Sequence, residues 1–182
     1  NVFKTALITL VTFRAGQLTE LDGKTLATLL PGLFILPFFL FSATSGQIAD
    51  KFEKSAVARA VKVFEICVML LAAWGFMANL LWPLVGALFL MGVHSTLFGP
   101  VKFAYLPQHL NERELTGGNG MVEMGTFAAI LLGNVAGGLL VAVPGSGPVW
   151  VATACCALAV LGRLVSQAVP PAPATDPGLR IR

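Results

Sequence analysis

The chain is 182 residues long, 56% hydrophobic and only 12% charged, a balance that places it among membrane proteins. That length leaves no room for both a multi-helix membrane bundle and a soluble catalytic domain. The net charge of +3 is small and its basic residues gather at the ends of apolar runs, which speaks for topology and lipid-headgroup contact and against nucleic-acid binding.

Six spans are predicted in chain order. Val2–Phe13 is apolar but shorter than the roughly 20 residues that cross a bilayer, so it reads as a truncated first span and the chain as a fragment. Leu26–Ala49 is the second, broken by Pro31 and Pro37. From Ile66 to Val101 there is no Lys, Arg, Asp or Glu, and this run divides at Asn79-Leu80-Leu81-Trp82-Pro83, where proline and an interfacial tryptophan mark a tight turn. The third and fourth spans therefore fall near Val61–Ala78 and Leu84–Tyr105. A second uncharged run, Met124–Gly162, divides at Pro144-Gly145-Ser146-Gly147-Pro148 into spans near Gly120–Val143 and Val149–Ser166. Cys67, Cys155 and Cys156 all lie inside spans, where burial as small hydrophobes is expected. No Cys/His ligand spacing accompanies them, so neither a metal nor a cofactor is expected.

Charge orients the bundle. The connections at Asp50–Lys62, Lys102–Glu114 and Arg163–Arg182 hold nearly all the lysine and arginine beyond Arg14–Lys24, and the positive-inside rule makes them cytoplasmic. After Ala168 comes Pro170-Pro171-Ala172-Pro173-Ala174-Thr175-Asp176-Pro177-Gly178, an extended, linker-like tail. The predicted fold is an all-α membrane protein of six transmembrane helices, with residues 1–168 as one half of a two-half transporter and residues 169–182 as the cytoplasmic linker between halves.

Polar residues then mark candidate sites. Gly46-Gln47-Ile48-Ala49-Asp50-Lys51-Phe52-Glu53-Lys54 joins the second and third spans. Its glycine suits close helix approach, and Asp50 can complement a helix N-terminus or pair with an arginine across a gate. Arg59, Lys62 and Glu65 follow at steps of three into the third span. Arg59 is expected to snorkel to the interface, whereas Lys62 and Glu65 lie where an unpaired charge is expensive and are expected to pair. Lys102 and Tyr105 share a face between Pro100 and Pro107; they suit either a headgroup anchor or an anion-binding cation at the pathway's inner mouth. His94, two turns deeper, reads as a satisfied polar contact. On the fifth span Asn119, Glu123, Thr126, Ile130, Asn134 and Gly137 fall on one face, a polar stripe that must point into the bundle. Glu123 is its strongest candidate, and Gly133-x-x-x-Gly137 beside it would let a neighbouring helix pack closely.

The Gly46–Lys54 segment resembles the cytoplasmic signature loop of the major facilitator superfamily, departing from it at Glu53, where the family usually has glycine. Asn1-Val2-Phe3-Lys4-Thr5-Ala6-Leu7, Ser95 to Leu110 with its Phe98-Gly99-Pro100-Val101-Lys102-Phe103-Ala104-Tyr105-Leu106-Pro107 centre, and Gly117-Gly118-Asn119-Gly120-Met121-Val122-Glu123 are similar to the bacterial lysophospholipid transporter family within it. The resemblance implies twelve helices in the full protein, with a C-terminal six-helix half as partner to this chain. It also implies a bacterial inner-membrane flippase that returns lyso-phosphatidylethanolamine-type lysophospholipid to the cytoplasmic leaflet for reacylation. Carried over, the substrate-binding set is Asn1, Lys4, Lys62, Glu65, Lys102, Tyr105 and Glu123, and the gating motif is Gly46, Asp50 and Lys51. The phosphate of such a lipid suits a lysine and its ammonium suits a carboxylate.

Some relatives in that family are fused to acyltransferase and acyl-carrier-protein synthetase domains, which leaves a bifunctional full-length protein as an alternative. This chain has no His-x-x-x-x-Asp signature and no nucleotide loop, so no catalytic residue is assigned. Transport of another small solute is the second alternative, since fold does not fix substrate. A pore or scaffold is the third, disfavoured by charges on several spans and by the lack of a repeated ring motif.

Overall fold

The computed structural model describes residues 1–181; Arg182, the last residue of the predicted linker, lies outside them. The described residues form helices α1 Val2–Arg14, α2 Gly23–Lys51, α3 Lys54–Ala78, α4 Leu81–Tyr105, α5 Glu112–Ala142 and α6 Gly147–Val165, with short 3₁₀ turns at Ala15–Gln17, Leu106–Gln108 and Ser166–Ala168. Helices α2 to α6 are each long and apolar enough to cross a membrane, while α1 has 13 residues. At about 1.5 Å per residue, the 25 residues of α3 reach about 37 Å, which exceeds the hydrocarbon core.

Local chemistry sets the helix ends. Asp22 accepts the Thr25 N–H at 3.0 Å to cap α2. Asn111 and Glu114 cap α5 reciprocally, each side chain accepting the other's backbone N–H at 3.2 Å. That capping box starts α5 at Glu112 rather than at the predicted Gly120, because polar helix can extend beyond the bilayer where only apolar length had been counted. Asn79 closes α3 in the left-handed conformation, φ 52°, which an asparagine tolerates. Pro83 enters the first turn of α4, where the absent N–H has no intrahelical partner to lose.

One expectation is corrected: Pro31 and Pro37 do not break the second span, and α2 runs unbroken from Gly23 to Lys51. A neighbouring helix supports the proline turn. Pro37 is buried, and a Cβ added at Gly92 of α4 would stand 2.8 Å from its Cγ, so glycine there lets α4 close over the site. Cys155 is buried as expected and Cys156 is half-buried, but Cys67 is exposed on the outer flank of α3.

The core forms around α1, whose Ala6, Leu7 and Val11 are fully buried among Val68 and Phe76 of α3, Leu84 and Leu88 of α4 and Val151 of α6. Helix α1 packs along α5 and α2, α2 along α4, and α3 along both α4 and α6. Helices α2 and α5 bury the least of their apolar length, leaving residues such as Phe39 and Leu132 open. Successive helices alternate in direction. The predicted basic connections meet at one end, where the segment after α6 bonds both to the α2–α3 loop and to Gln108 beyond α4.

Candidate functional site

Two clusters of charge lie within the bundle. In the first, the Lys62 ammonium donates to Glu65 Oε2 at 2.8 Å, a pairing one helical turn apart on α3. His94 of α4 brings Nε2 to 3.4 Å from the same oxygen, a contact longer than a good hydrogen bond. Neither ring nitrogen of this buried histidine makes a hydrogen bond among the described residues. Phe98, one turn along α4, stacks on His94 and presents its ring 5.0 Å from Lys62 Nζ. A Cβ at Gly162 would lie 3.5 Å from Lys62 Cδ, so glycine on α6 leaves room for the lysine stem.

The second cluster joins α4 to α5. Lys102 Nζ donates to Glu123 Oε1 at 3.1 Å and to Thr126 Oγ1 at 3.2 Å. Thr126 in turn donates to the Val122 carbonyl at 2.8 Å, leaving its oxygen free to accept from the lysine. Glu123 is 40% exposed, against 18% for Glu65. Its bond is also longer than the roughly 2.7–2.9 Å of a tight charge-assisted pair.

The predicted polar stripe on α5 points inward over most of its length. Below Glu123 and Thr126, Asn134 Oδ1 accepts from Thr5 Oγ1 of α1 at 2.9 Å. A Cβ at Gly133 would approach Asn1, and one at Gly137 would meet the Val2 carbonyl, so the two glycines seat α1 directly on α5. Asn119, at the stripe's basic end, is exposed.

Other predicted residues take separate places. Lys4 holds its ammonium 4.9 Å over the Phe34 ring, bridging α1 to α2. Asn1 is the exposed N-cap residue of α1 and makes no side-chain capping bond. Tyr105 stacks on His109 at 4.1 Å between ring centres, just past Lys102 on α4. Gly46, Asp50 and Lys51 occupy the last turns of α2; a Cβ at Gly46 would meet nothing within 4 Å, and Lys51 lies 5.8 Å over Phe52. Arg59 pairs with Glu53 at 3.5 Å instead of only snorkelling. The structure thus joins Lys62 with Glu65, and Lys102 with Glu123, in two sites rather than one. His94, expected as a satisfied polar contact and so left out of the candidate site, instead has neither ring nitrogen hydrogen-bonded among the described residues. Its signal was available: an ionisable side chain deep in a span, with a carboxylate at comparable depth on the preceding helix.

The family model of the Major Facilitator Superfamily matches residues 6–180. The chain belongs to that superfamily. Among curated relatives, it is 33% identical over 147 residues to the lysophospholipid transporter LplT of Escherichia fergusonii, and 35% identical over the same length to LplT of Escherichia coli strain K12 / DH10B and of Shigella boydii serotype 18. Each match covers 80% of this chain and 34% of the relative, so the chain spans about a third of the length of the curated relatives it matches. No solved structure matches.

As a facilitator-superfamily bundle, the chain presents a cation and an anion side by side in an otherwise apolar medium. Lys102 and Glu123 stand on different helices, so a ligand bearing both charges can exchange into their bond. Lys62 and Glu65 stand on one helix at 2.8 Å. The open apolar clefts lie elsewhere; one of about 690 Å³ is lined by Met77, Cys156 and Leu164 between α3 and α6, and holds none of the charged residues. No cluster of metal-ligating residues occurs among the described residues.

Proposed function

We propose that this chain supplies the first six-helix half of a lysophospholipid transporter. In that reading residues 1–168 form the half and residues 169–182 lead toward a C-terminal six-helix half. Together the halves move lyso-phosphatidylethanolamine-type lipids to the cytoplasmic leaflet of the bacterial inner membrane by alternating access, supplying lysolipid for reacylation. The observation that carries the reading is the half-exposed Lys102–Glu123–Thr126 cluster between α4 and α5. It matches both charges of a zwitterionic headgroup, in a chain whose curated relatives are named lysophospholipid transporters. Lys62 and Glu65 hold α3 in register with α4 behind it. The acyl chain needs no closed pocket, because the flanks of α2 and α5 are apolar and open to lipid or to the second half. Gly46, Asp50 and Lys51 gate the cytoplasmic end, with Gly46 facing open space that the second half can fill.

The test uses the complete protein in spheroplasts lacking endogenous lysolipid uptake, following radiolabelled lyso-phosphatidylethanolamine into the diacyl pool. Uptake by the unsubstituted protein, lost in Lys102→Ala and Glu123→Ala at equal membrane abundance, is the expected result. No uptake by well-expressed protein would remove the lipid assignment and favour another solute.

A further inference from the structure

The Pro-rich segment after α6 forms no regular element, yet it is fixed to the connections that share its end of the fold. Ala172 is fully buried. Its N–H donates to Glu53 Oε1 at 2.8 Å, and its carbonyl accepts the Lys54 N–H at 2.8 Å. The Thr175 and Asp176 N–H groups both donate to the Asp50 carbonyl, at 2.9 and 3.0 Å. Gln108 Nε2 adds a bond to the Pro173 carbonyl at 3.0 Å. One short stretch thereby ties the ends of α2 and α3 and the turn after α4 to the end of α6.

Lys54 is the residue that such a strap explains. It is fully buried, forms no salt bridge among the described residues, and occupies the first position of α3, where the helix dipole disfavours a cation. Its ammonium is satisfied by two tail oxygens, the Pro173 carbonyl at 3.0 Å and Thr175 Oγ1 at 2.9 Å. Glu53 stands where the superfamily loop usually has glycine. It uses one carboxylate oxygen on Ser55 and Ala172 and the other on the Ala56 N–H, so the departure from the family pattern is also the point of attachment. Pro170, Pro171 and Pro173 restrict the free segment and lower the entropy lost on docking.

We propose that residues 170–176 are a strap, latched by Glu53 and Lys54, that clamps the end of α2 carrying Asp50 and Lys51 to the end of α6 and lets this half move as one body. The part of the proposal that concerns movement rests on the transporter reading above. Hydrogen exchange on the complete protein reads the latch directly. The amides of Ala172, Thr175 and Asp176 are protected in the unsubstituted protein. All three exchange about tenfold faster in Lys54→Met, and those of Ala172 and Asp176 do so in Thr175→Pro, which deletes an N–H and a hydroxyl on the tail without touching a helix, while peptides of α3 to α6 stay protected. Lysolipid uptake falls several-fold in both variants. An unprotected tail in the unsubstituted protein overturns the strap. Release of the tail with unchanged uptake overturns its part in the transport movement. If the unsubstituted protein takes up no lysolipid, the transporter reading falls, and exchange still decides the strap by itself.

Discussion

The two lysine–glutamate pairs of this bundle have the same chemistry and opposite circumstances. Lys62–Glu65 is short, stands on a single helix and is enclosed by His94 and Phe98. Lys102–Glu123 is longer, straddles two helices and leaves its carboxylate 40% exposed. In a membrane interior a charge must be compensated, but a compensated pair is useful to a ligand only if the ligand can replace one partner at little cost. Partners on one helix are held together by the backbone and resist exchange. Partners on separate helices part when the helices move, which is the condition for a site that opens and closes. In the proposal above, the first pair is framework and the second is contact with cargo.

The comparison breaks most visibly through the enclosed pair. Glu65→Ala strands the Lys62 ammonium, and breaking a buried pair in this way costs about 3–5 kcal/mol. The expected result is a sharp loss of folded protein in detergent thermal unfolding, restored in large part when Lys62→Met is combined with Glu65→Leu. A single variant that unfolds no earlier than the unsubstituted protein would remove the framework role. The open pair is expected to behave in the converse way. Lys102→Ala changes stability by less than about 1 kcal/mol, because its partner is half-exposed and keeps room to turn away. It lowers lysolipid uptake by about tenfold or more, the loss expected for a charge-assisted contact to phosphate. Equal effects of the two substitutions on both readouts would erase the distinction.

His94→Phe sharpens the same contrast with a smaller effect. The ring keeps its stacking on Phe98 while its nitrogen leaves Glu65, and the 3.4 Å separation makes that contact weak. A shift of about 1 kcal/mol or less in stability, with uptake unchanged, is expected from chemical unfolding and transport measured together.

Much of this arrangement was legible in the sequence, for reasons specific to the membrane. Apolar length and turn chemistry located α4, α6 and the C-terminal end of α3 closely, because a bilayer fixes how long a span must be, while the polar first turns of α3, like those of α5, escaped a count of apolar length. Periodicity turned Glu123, Thr126, Asn134 and Gly137 toward the bundle, and a three-residue step predicted the Lys62–Glu65 pair. What sequence left open depended on neighbours. Pro37 stays helical because Gly92 of another helix covers it, and no local rule supplies that partner. Lys102 and Glu123 were each candidates, but only packing of α4 on α5 makes them a pair. The docking of Ala172 beneath Glu53 and Lys54 lay furthest from reach, since proline-rich composition predicts extension and says nothing of what the extended chain lies against.

A pH-dependent effect is expected at the carboxylate outside the membrane. Burial of Glu53 alone would raise its pKa, but the hydroxyl of Ser55 and the N–H groups of Ala172, Ser55 and Ala56 all donate to it and hold the carboxyl down, from 4.5 to about 2. A lowered folded-state pKa contributes stability that is fully present above the ordinary value of 4.5 and is lost as pH falls toward about 2. Glu53→Gln keeps the shape and removes the titration. The unsubstituted protein should therefore unfold later than the variant at neutral pH, and the gap between them should close on acidification through that window. A stability difference that persists unchanged at the acid end would mean that the hydrogen bonds to Glu53 do not depend on its charge, and the latch would then rest on Lys54.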